Sequence, residues 1–295
     1  MDETEVLPGV VATRDYALWF PKERALAISD LHLGYEGALQ EAGVAIPRRQ
    51  KGVMLERLGR LLDRYEAERV IVDGDFKHEF SRNLEDEWKD VQDVLDFLYK
   101  RTVPVLVRGN HDNYLMQILA KKGLDLHRKV ELGGFTFVHG HDDPGVSGPL
   151  VLGHEHPAVK LRDDLGATFS LPAFVVQDDL VILPAFSPLA LGVDVTEQPK
   201  MSPLLQDRDF ADARVFAIDE AIGLMDFGRV RNLEGGELTA RRRPPPDRAQ
   251  PAETARAPGR GAGGARAARS RPPSRGRGRR TGRARSRPPA LRSAR

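Results

Sequence analysis

The chain has 295 residues and a formal net charge of +2, a near-neutral value that averages two opposite regions. Residues 241–295 hold 18 arginines and only two acids, whereas residues 1–240 carry a net charge of −14. The sequence contains no cysteine, which excludes disulfides, thiolate metal sites, iron–sulfur clusters and a cysteine nucleophile. No apolar run approaches the roughly 20 residues that cross a bilayer, and the amino-terminal residues are acidic where a signal peptide is basic. We therefore expect a cytoplasmic protein.

The arginine-rich region has the composition of a disordered segment. Among its 55 residues, 16 are Pro or Gly, and Leu291 is the only large apolar residue. Such a stretch cannot bury enough apolar surface to offset its chain entropy. We therefore expect one folded domain over residues 1–237 and a disordered Arg/Pro/Gly-rich tail over residues 238–295. Arginines attract nucleic-acid phosphates, but without aromatic side chains the tail is expected to bind nucleic acid weakly or to be dispensable.

The folded part alternates short apolar runs with helical patterns. The apolar runs predict strands at residues 25–29, 70–72, 103–107 and 135–138. Apolar residues at helical spacing predict helices around residues 54–65, 84–98 and 115–119. After residue 156 the pattern is mostly β, with runs at residues 174–176, 181–183 and 215–218. This order predicts stacked α/β layers.

Polar clusters that hold most of the histidines follow the first four apolar runs, and a fifth cluster follows Leu152. These clusters are Asp30-Leu31-His32, Asp73-Gly74-Asp75, Gly109-Asn110-His111-Asp112, His139-Gly140-His141 and Gly153-His154-Glu155-His156. Each cluster alone is common in turns. In open α/β sheets, however, ligands bind at the carboxyl ends of strands, so the five loops together predict one polar site. No GxGxxG or P-loop motif is present, and neither a dinucleotide nor a Walker-type nucleotide site is supported.

This ordered set of motifs resembles the calcineurin-like metallophosphoesterases over about residues 5–235. The Gly-Asp-x-x-His at residues 74–78, the Gly-His-Glu-His-Pro at 153–157 and the Pro-Ala-Phe-Ser-Pro at 184–188 are most similar to one branch. That branch comprises archaeal proteins related to SbcD nucleases and is similar to bacterial phosphoesterases encoded with DNA ligase. The resemblance implies a single-domain, four-layer αββα sandwich with a dinuclear metal centre at one edge.

The resemblance also implies a set of metal ligands. It assigns one metal ion to Asp30, His32, Asp75 and His156, and the other to Asp75, Asn110, His139 and His154. Asp75 would then bridge the two ions. All these donors are oxygen or nitrogen atoms, which suits Mn²⁺, Fe or Zn²⁺. We expect two divalent metal ions, with Mn²⁺ as the first choice.

Residues beside the ligands are candidates for catalysis and substrate binding. In the family pattern His111 lies over the phosphate and Asp112 orients it, so His111 would stabilise the phosphoryl oxygens or protonate the leaving oxygen. Alternatively, His111 is a structural residue that supports the ligands without contacting substrate. Further candidate contacts to substrate are Lys77, His78 and Arg108, for which ordinary surface ion pairs are the alternative. His141 could donate a hydrogen bond near the metals, while His139 is the better ligand because it ends a strand.

The function that follows is a phosphodiesterase in which a hydroxide held by two metals attacks phosphorus with the aid of His111. The alternatives are a phosphomonoesterase or a DNA-repair nuclease of the same fold, a non-catalytic scaffold, and a nucleic-acid-binding protein defined by its tail. The folded part has no room for the DNA-capping domain of end-processing nucleases, and its charge of −14 disfavours broad DNA binding.

Overall fold

The computed structural model describes residues 1–79, 85–162, 166–190 and 192–233. The domain boundary expected at residue 237 and the tail expected over residues 238–295 lie outside this part of the chain. Within the described ranges, every helix is too short or too polar to span a bilayer.

Within the described part of the chain, the first sheet has seven strands that follow one another in chain order. They are β1 (Glu3–Leu7), β2 (Val10–Thr13), β3 (Leu18–Phe20), β4 (Ala25–Ile28), β5 (Arg69–Asp73), β6 (Val103–Val107) and β7 (Leu126–His127). Strands β1 to β4 form an antiparallel meander, and β4 to β7 run parallel. The carboxyl ends of β4, β5 and β6 therefore lie at the same edge of the sheet.

Helices connect the parallel strands, as crossover connections require. They are α1 (Tyr35–Glu41) and α2 (Gln50–Tyr65) between β4 and β5, α3 (Glu85–Tyr99) between β5 and β6, and α4 (Met116–Lys122) between β6 and β7. The apolar stripes of α2 and α3 are buried as their spacing predicts, with Met54 and Leu58 on α2 and Val91 and Leu95 on α3. The short α1 has no such stripe and was not predicted.

The second sheet has nine strands among the residues that the structure describes. They are β8 (Val130–Leu132), β9 (Phe135–Val138), β10 (Leu150–Leu152), β11 (Pro157–Arg162), β12 (Thr168–Gln177), β13 (Leu180–Ile182), β14 (Val193–Asp194), β15 (Arg214–Asp219) and β16 (Gly223–Arg229). Strands β9, β10 and β13 are parallel neighbours. The carboxyl ends of β9 and β10 therefore bring two further polar loops to one edge.

Alternate residues of the second sheet face two different cores, as the period of a strand requires. Phe137 and Phe216 belong to the core shared with the first sheet and its helices. Val138 and Val215 belong to a second core that includes Leu205. The predicted α/β sandwich of two stacked sheets is thus confirmed. Its outermost layer over the second sheet consists of irregular chain around Leu205 and a short 3₁₀ helix (Val230–Asn232).

Candidate metal centre

Five of the candidate ligands have a left-handed backbone conformation. Their φ angles are 56° at Asp30, 46° at His32, 46° at Asp75, 66° at His154 and 43° at His156. This conformation is costly for residues with a Cβ, and it persists only where the surroundings enforce it. Main-chain hydrogen bonds do so here, because the N–H of Asp30 donates to Gly74 O (3.2 Å) and the N–H of His32 donates to Asp75 O (2.9 Å). The loops after β4 and β5 are therefore joined to each other.

Glycines allow the remaining loops to come close to the carboxylates. A Cβ at Gly109 would lie 2.1 Å from Asp75 Oδ1, and a Cβ at Gly153 would lie 1.9 Å from Ser29 Oγ. No side chain can occupy either position without displacing these atoms. Gly109 and Gly153 are therefore needed because the loops approach each other too closely for a side chain.

The first ligand group consists of Asp30, His32 and His156. The Nε2 atom of His156 lies 3.0 Å from Asp30 Oδ1 and 3.3 Å from His32 Nε2. Burial opposes charge on both members of the Asp30–His156 pair, yet their contact holds the pKa of Asp30 below its usual range and raises the pKa of His156. Burial lowers the pKa of His32 to about 3, so this imidazole is neutral and able to ligate a metal.

The second group consists of Asp75, His139 and His154. The N–H at Nδ1 of His139 donates to Asp73 O (2.9 Å), and its Nε2 lies 3.3 Å from Asp75 Oδ2. Against the effect of burial, the Asp75 carboxylate raises the pKa of His139 to about 10. Burial lowers the pKa of His154 to about 4. In the absence of a cation, a proton on His139 therefore neutralises part of the buried negative charge.

Asp75 lies between the two groups. Its Oδ2 atom lies 3.3 Å from His139 Nε2 in one group and 3.8 Å from His32 Nε2 in the other. Within the described residues, the Oδ1 atom of Asn110 is buried and lacks a hydrogen-bond partner. Buried polar atoms are otherwise almost always paired. A free amide oxygen and several imidazole nitrogens around two carboxylates fit two divalent cations.

His111 lies beside this cluster in a defined orientation. Its main-chain N–H donates to Asp75 Oδ1 (2.9 Å). In its ring, Nδ1 contacts the main-chain carbonyl of His78, and Nε2 lies 3.9 Å from Asp75 Oδ2. The ring of His78 stacks between His111 and Tyr35, with centroid separations of 5.6 and 3.9 Å. His78 therefore contacts His111 through both its ring and its backbone.

The carboxylate of Asp112, the residue expected to orient His111, contacts the main chain of two neighbouring loops. This buried carboxylate accepts hydrogen bonds from the main-chain N–H groups of Phe76 (2.9 Å) and Gly109 (2.8 Å). Burial raises the pKa of Asp112 to about 6. Asp112 thus joins the loops after β5 and β6, while His78 contacts the His111 ring.

The other predicted substrate contacts have different surroundings. Lys77 is buried and its ammonium lies 3.4 Å from Glu87 Oε2, an environment that disfavours contact with substrate. Arg108 is exposed and donates to Asn113 Oδ1 (3.2 Å). The ring centroid of His141 lies 5.5 Å from that of His139, beside the second ligand group.

A buried polar network supports the first group and was not predicted. The side-chain amide of Gln50 donates to His32 O (2.8 Å) and to Ser187 Oγ (2.9 Å), and the N–H of Ser187 donates to Asp30 O (3.1 Å). The Glu36 carboxylate accepts the N–H of Gln50 (2.8 Å) at the start of α2. The sequence gives no indication that Gln50 supports the ligands, because its hydrogen-bond partners are distant in sequence.

Two stacked mixed sheets with paired His/Asp ligand groups at their strand ends define a metal-dependent phosphoesterase. Residues 23–216 match the calcineurin-like phosphoesterase family (Metallophos), and the chain belongs to this family. Its members depend on two metal ions and are hydrolases.

Two solved structures illustrate the likeness. The nuclease MPE of Pseudomonas putida is 26% identical, with a TM-score of 0.55 over 73% of this chain and 95% of that chain. The phosphoesterase Yfce of E. coli is 17% identical, with a TM-score of 0.33 over 66% of this chain and 88% of that chain. No curated protein matches this sequence significantly.

Proposed function

We propose that this protein is a metal-dependent phosphodiesterase. One observation carries the proposal: the Nε2 atom of His111 lies 3.9 Å from Asp75 Oδ2, the carboxylate oxygen that faces both ligand groups. A group that can hold and release a proton is therefore next to the place where a metal-bound phosphate would lie. This is the arrangement that cleavage of a phosphoester bond with a poor leaving group needs.

The residues of the site have separate tasks. Two divalent cations bound there would neutralise charge on the phosphoryl oxygens and activate water as a nucleophile. Asp75 and Asp30 supply the negative charge that holds the cations, and neutral imidazoles complete the sets. Because Nδ1 of His111 faces a carbonyl, its Nε2 is the atom that can carry a proton to the leaving oxygen. Asn110 would contribute its buried amide oxygen to the second ion.

The proposed substrate is a diester. It brings one negative charge, which suits a site where Lys77, the lysine next to the ligands in sequence, is paired with Glu87 and adds no free positive charge at the ligands. The likeness to a nuclease over 95% of that chain supports cleavage of diesters.

Among phosphodiesterases, a nuclease is the candidate that the same likeness favours. The charge of −14 on residues 1–240 restricts it to local contacts with a strand. Mn²⁺ is the ion that we expect in the site. We further propose that the protein belongs to the SbcD-related archaeal branch and is cytoplasmic. A non-catalytic scaffold is disfavoured because both ligand groups and His111 are present.

The test is an activity screen of the purified full-length protein. Metal-free protein would be supplied with Mn²⁺, Zn²⁺ or chelator and assayed on a bis-aryl phosphate, a mono-aryl phosphate and single-stranded DNA. We expect Mn²⁺-dependent hydrolysis of the bis-aryl phosphate with a higher kcat/KM than that of the monoester. Faster hydrolysis of the monoester would replace the proposal by a phosphomonoesterase. Stoichiometric metal binding without turnover on any substrate would favour the scaffold.

A further inference from the structure

A small cationic cavity lies beside the second ligand group. It has a volume of about 320 Å³ and is lined by Arg108, Arg128, His141 and Asp142. His141 connects it to the metal centre, because its ring centroid lies 5.5 Å from that of His139 and 6.4 Å from that of His154. The cavity therefore begins one side chain away from two candidate ligands.

The charges in this cavity are available to a ligand. The guanidinium of Arg108 is exposed, and its contact is with the neutral side chain of Asn113 (3.2 Å). Arg128 forms an ion pair with Asp142 (2.7 Å), but the two side chains are 65% and 48% exposed. Exposed pairs of this kind contribute little and rearrange readily. Both arginines line the same cavity, so an anion bound in it would meet two guanidinium groups.

The two arginines of the cavity stand out against the negative charge of the rest of the folded part. Residues 1–240 carry a net charge of −14, so most of the folded surface repels polyanions. Two arginines at the edge of the metal centre oppose that repulsion at one place. Arginine is the residue best suited to phosphate because its planar donors match two phosphate oxygens.

We propose that Arg108 and Arg128 form a subsite for the phosphate next to the scissile one, so that the preferred substrate is a polynucleotide strand. This inference rests on the proposed phosphodiesterase activity and extends it to a substrate class. A small diester without a second phosphate leaves the subsite empty. Neutral ligands gain nothing from it.

The experiment compares charged and uncharged neighbours within one short strand. The substrates are a single-stranded trithymidylate and two analogues, each with one of its two linkages replaced by an uncharged methylphosphonate. For the full-length protein with Mn²⁺, we expect kcat/KM at the remaining phosphodiester to fall about tenfold when the neighbour on one side is uncharged. This is the effect of losing one charge-assisted hydrogen bond. The quantity to compare is the ratio of kcat/KM with a charged neighbour to kcat/KM with an uncharged neighbour. This ratio does not depend on the fraction of active enzyme.

The variant Arg128→Gln tests the assignment. Its ratio should fall to about one, and the slope of log kcat/KM against log[salt] should become shallower by about 0.7, the value for one phosphate contact on a single strand. Arg214→Gln is the matched control, since Arg214 pairs with Asp226 at the same 2.7 Å and is 48% exposed on β15. The control should keep the wild-type ratio and slope.

The two proposals fail in different ways. If the wild-type protein hydrolyses a bis-aryl phosphate but treats charged and uncharged neighbours alike, the subsite is wrong and the phosphodiesterase stands. The same holds if Arg128→Gln retains the wild-type ratio. If no diester is hydrolysed with any metal, the proposed function is wrong and the subsite falls with it.

Discussion

The Nδ1 atom of His139 lies 2.9 Å from the main-chain carbonyl oxygen of Asp73, and this contact turns Nε2 of the ring toward Asp75. Asp73 and Asp75 flank Gly74, so one short loop both orients the imidazole and supplies the carboxylate that it faces. A Cβ at Gly74 would lie 2.2 Å from His139 Nδ1, which shows how closely the ring packs on this loop. The position of this ligand is therefore set before a cation binds.

Removing the charge of Asp75 should empty the site. In Asp75→Asn the amide oxygen can still accept the N–H of His111, but the negative charge between two cations is lost. We expect loss of most bound metal and of nearly all turnover, measured by elemental analysis and by diester hydrolysis. Asp226→Asn, an exposed aspartate on β16, is the control. Two equivalents of metal on an active Asp75→Asn protein would contradict the two-ion assignment.

Truncating His111 should separate catalysis from metal binding. The Nδ1 atom of His111 is turned toward the His78 carbonyl, and its Nε2 is expected to act on the leaving group. In His111→Ala we expect normal metal content and a kcat lower by about 10²–10⁴. The loss should be smaller for substrates with good leaving groups, which need little protonation. Loss of metal together with activity would instead make His111 a ligand or a structural residue.

Replacing Gln50 should weaken metal binding without touching a ligand. Gln50→Leu removes the hydrogen bonds to His32 O and Ser187 Oγ, so the strained backbone of His32 loses a restraint. We expect the Kd for Mn²⁺, measured by calorimetry, to rise about 10- to 100-fold, and activity to recover at high Mn²⁺ concentration. Gln40→Leu is the matched control, since Gln40 donates to the Ile46 carbonyl (2.8 Å) away from the ligands. Equal Kd values for the two variants would rule out this role for Gln50.

The metal-free protein should lose stability as pH rises above neutrality. Folding raises the pKa of His139 to about 10, because Asp75 outweighs the effect of burial, whereas unfolded histidine titrates near 6.5. The stabilisation is complete below pH of about 6.5 and is lost as pH rises through about 10. Tm of chelator-treated protein should fall across this window, and His139→Gln should flatten the decline. An equal decline in both proteins would assign it to other groups.

Removing the arginine-rich tail should leave small-diester hydrolysis intact. No candidate ligand follows His156, and residues 241–295 contain no histidine. Truncation at Glu237 should change kcat/KM for a bis-aryl phosphate by less than about twofold. Any affinity of the full chain for long DNA that arises from the tail should disappear on truncation and at molar salt. If the truncated protein is folded but inactive, the tail is required for catalysis.

Much of the fold could be predicted because apolar runs in this chain mark buried strands. The runs at residues 103–107 and 135–138 coincide with β6 and β9. The strands β1 to β3 were not predicted, because they are short, partly exposed and interrupted by turns. The helix α1 has seven residues and buries mainly Glu36, so apolar spacing gives no sign of it.

The sequence predicts which residue types follow the strands, but not the contacts that these residues make. The ligand types and their places after strands are visible in the sequence. By contrast, Gln50 reaches His32 across 18 residues and Ser187 across 137 residues, and no local pattern indicates that contact. The roles of Asp112 and Lys77 depend on which way their side chains turn after folding. Burial and pairing with distant groups decide that direction.

The left-handed conformation of five candidate ligands has a consequence for the lifetime of the protein. Without cations, this edge combines strained backbone with two buried carboxylates, so the folded state is least stable when the site is empty. Bound cations stabilise only the folded chain and reduce the fraction that unfolds. Proteases act on that unfolded fraction. Metal supply should therefore set the abundance of this protein as well as its activity, with starvation for the ion shortening its half-life.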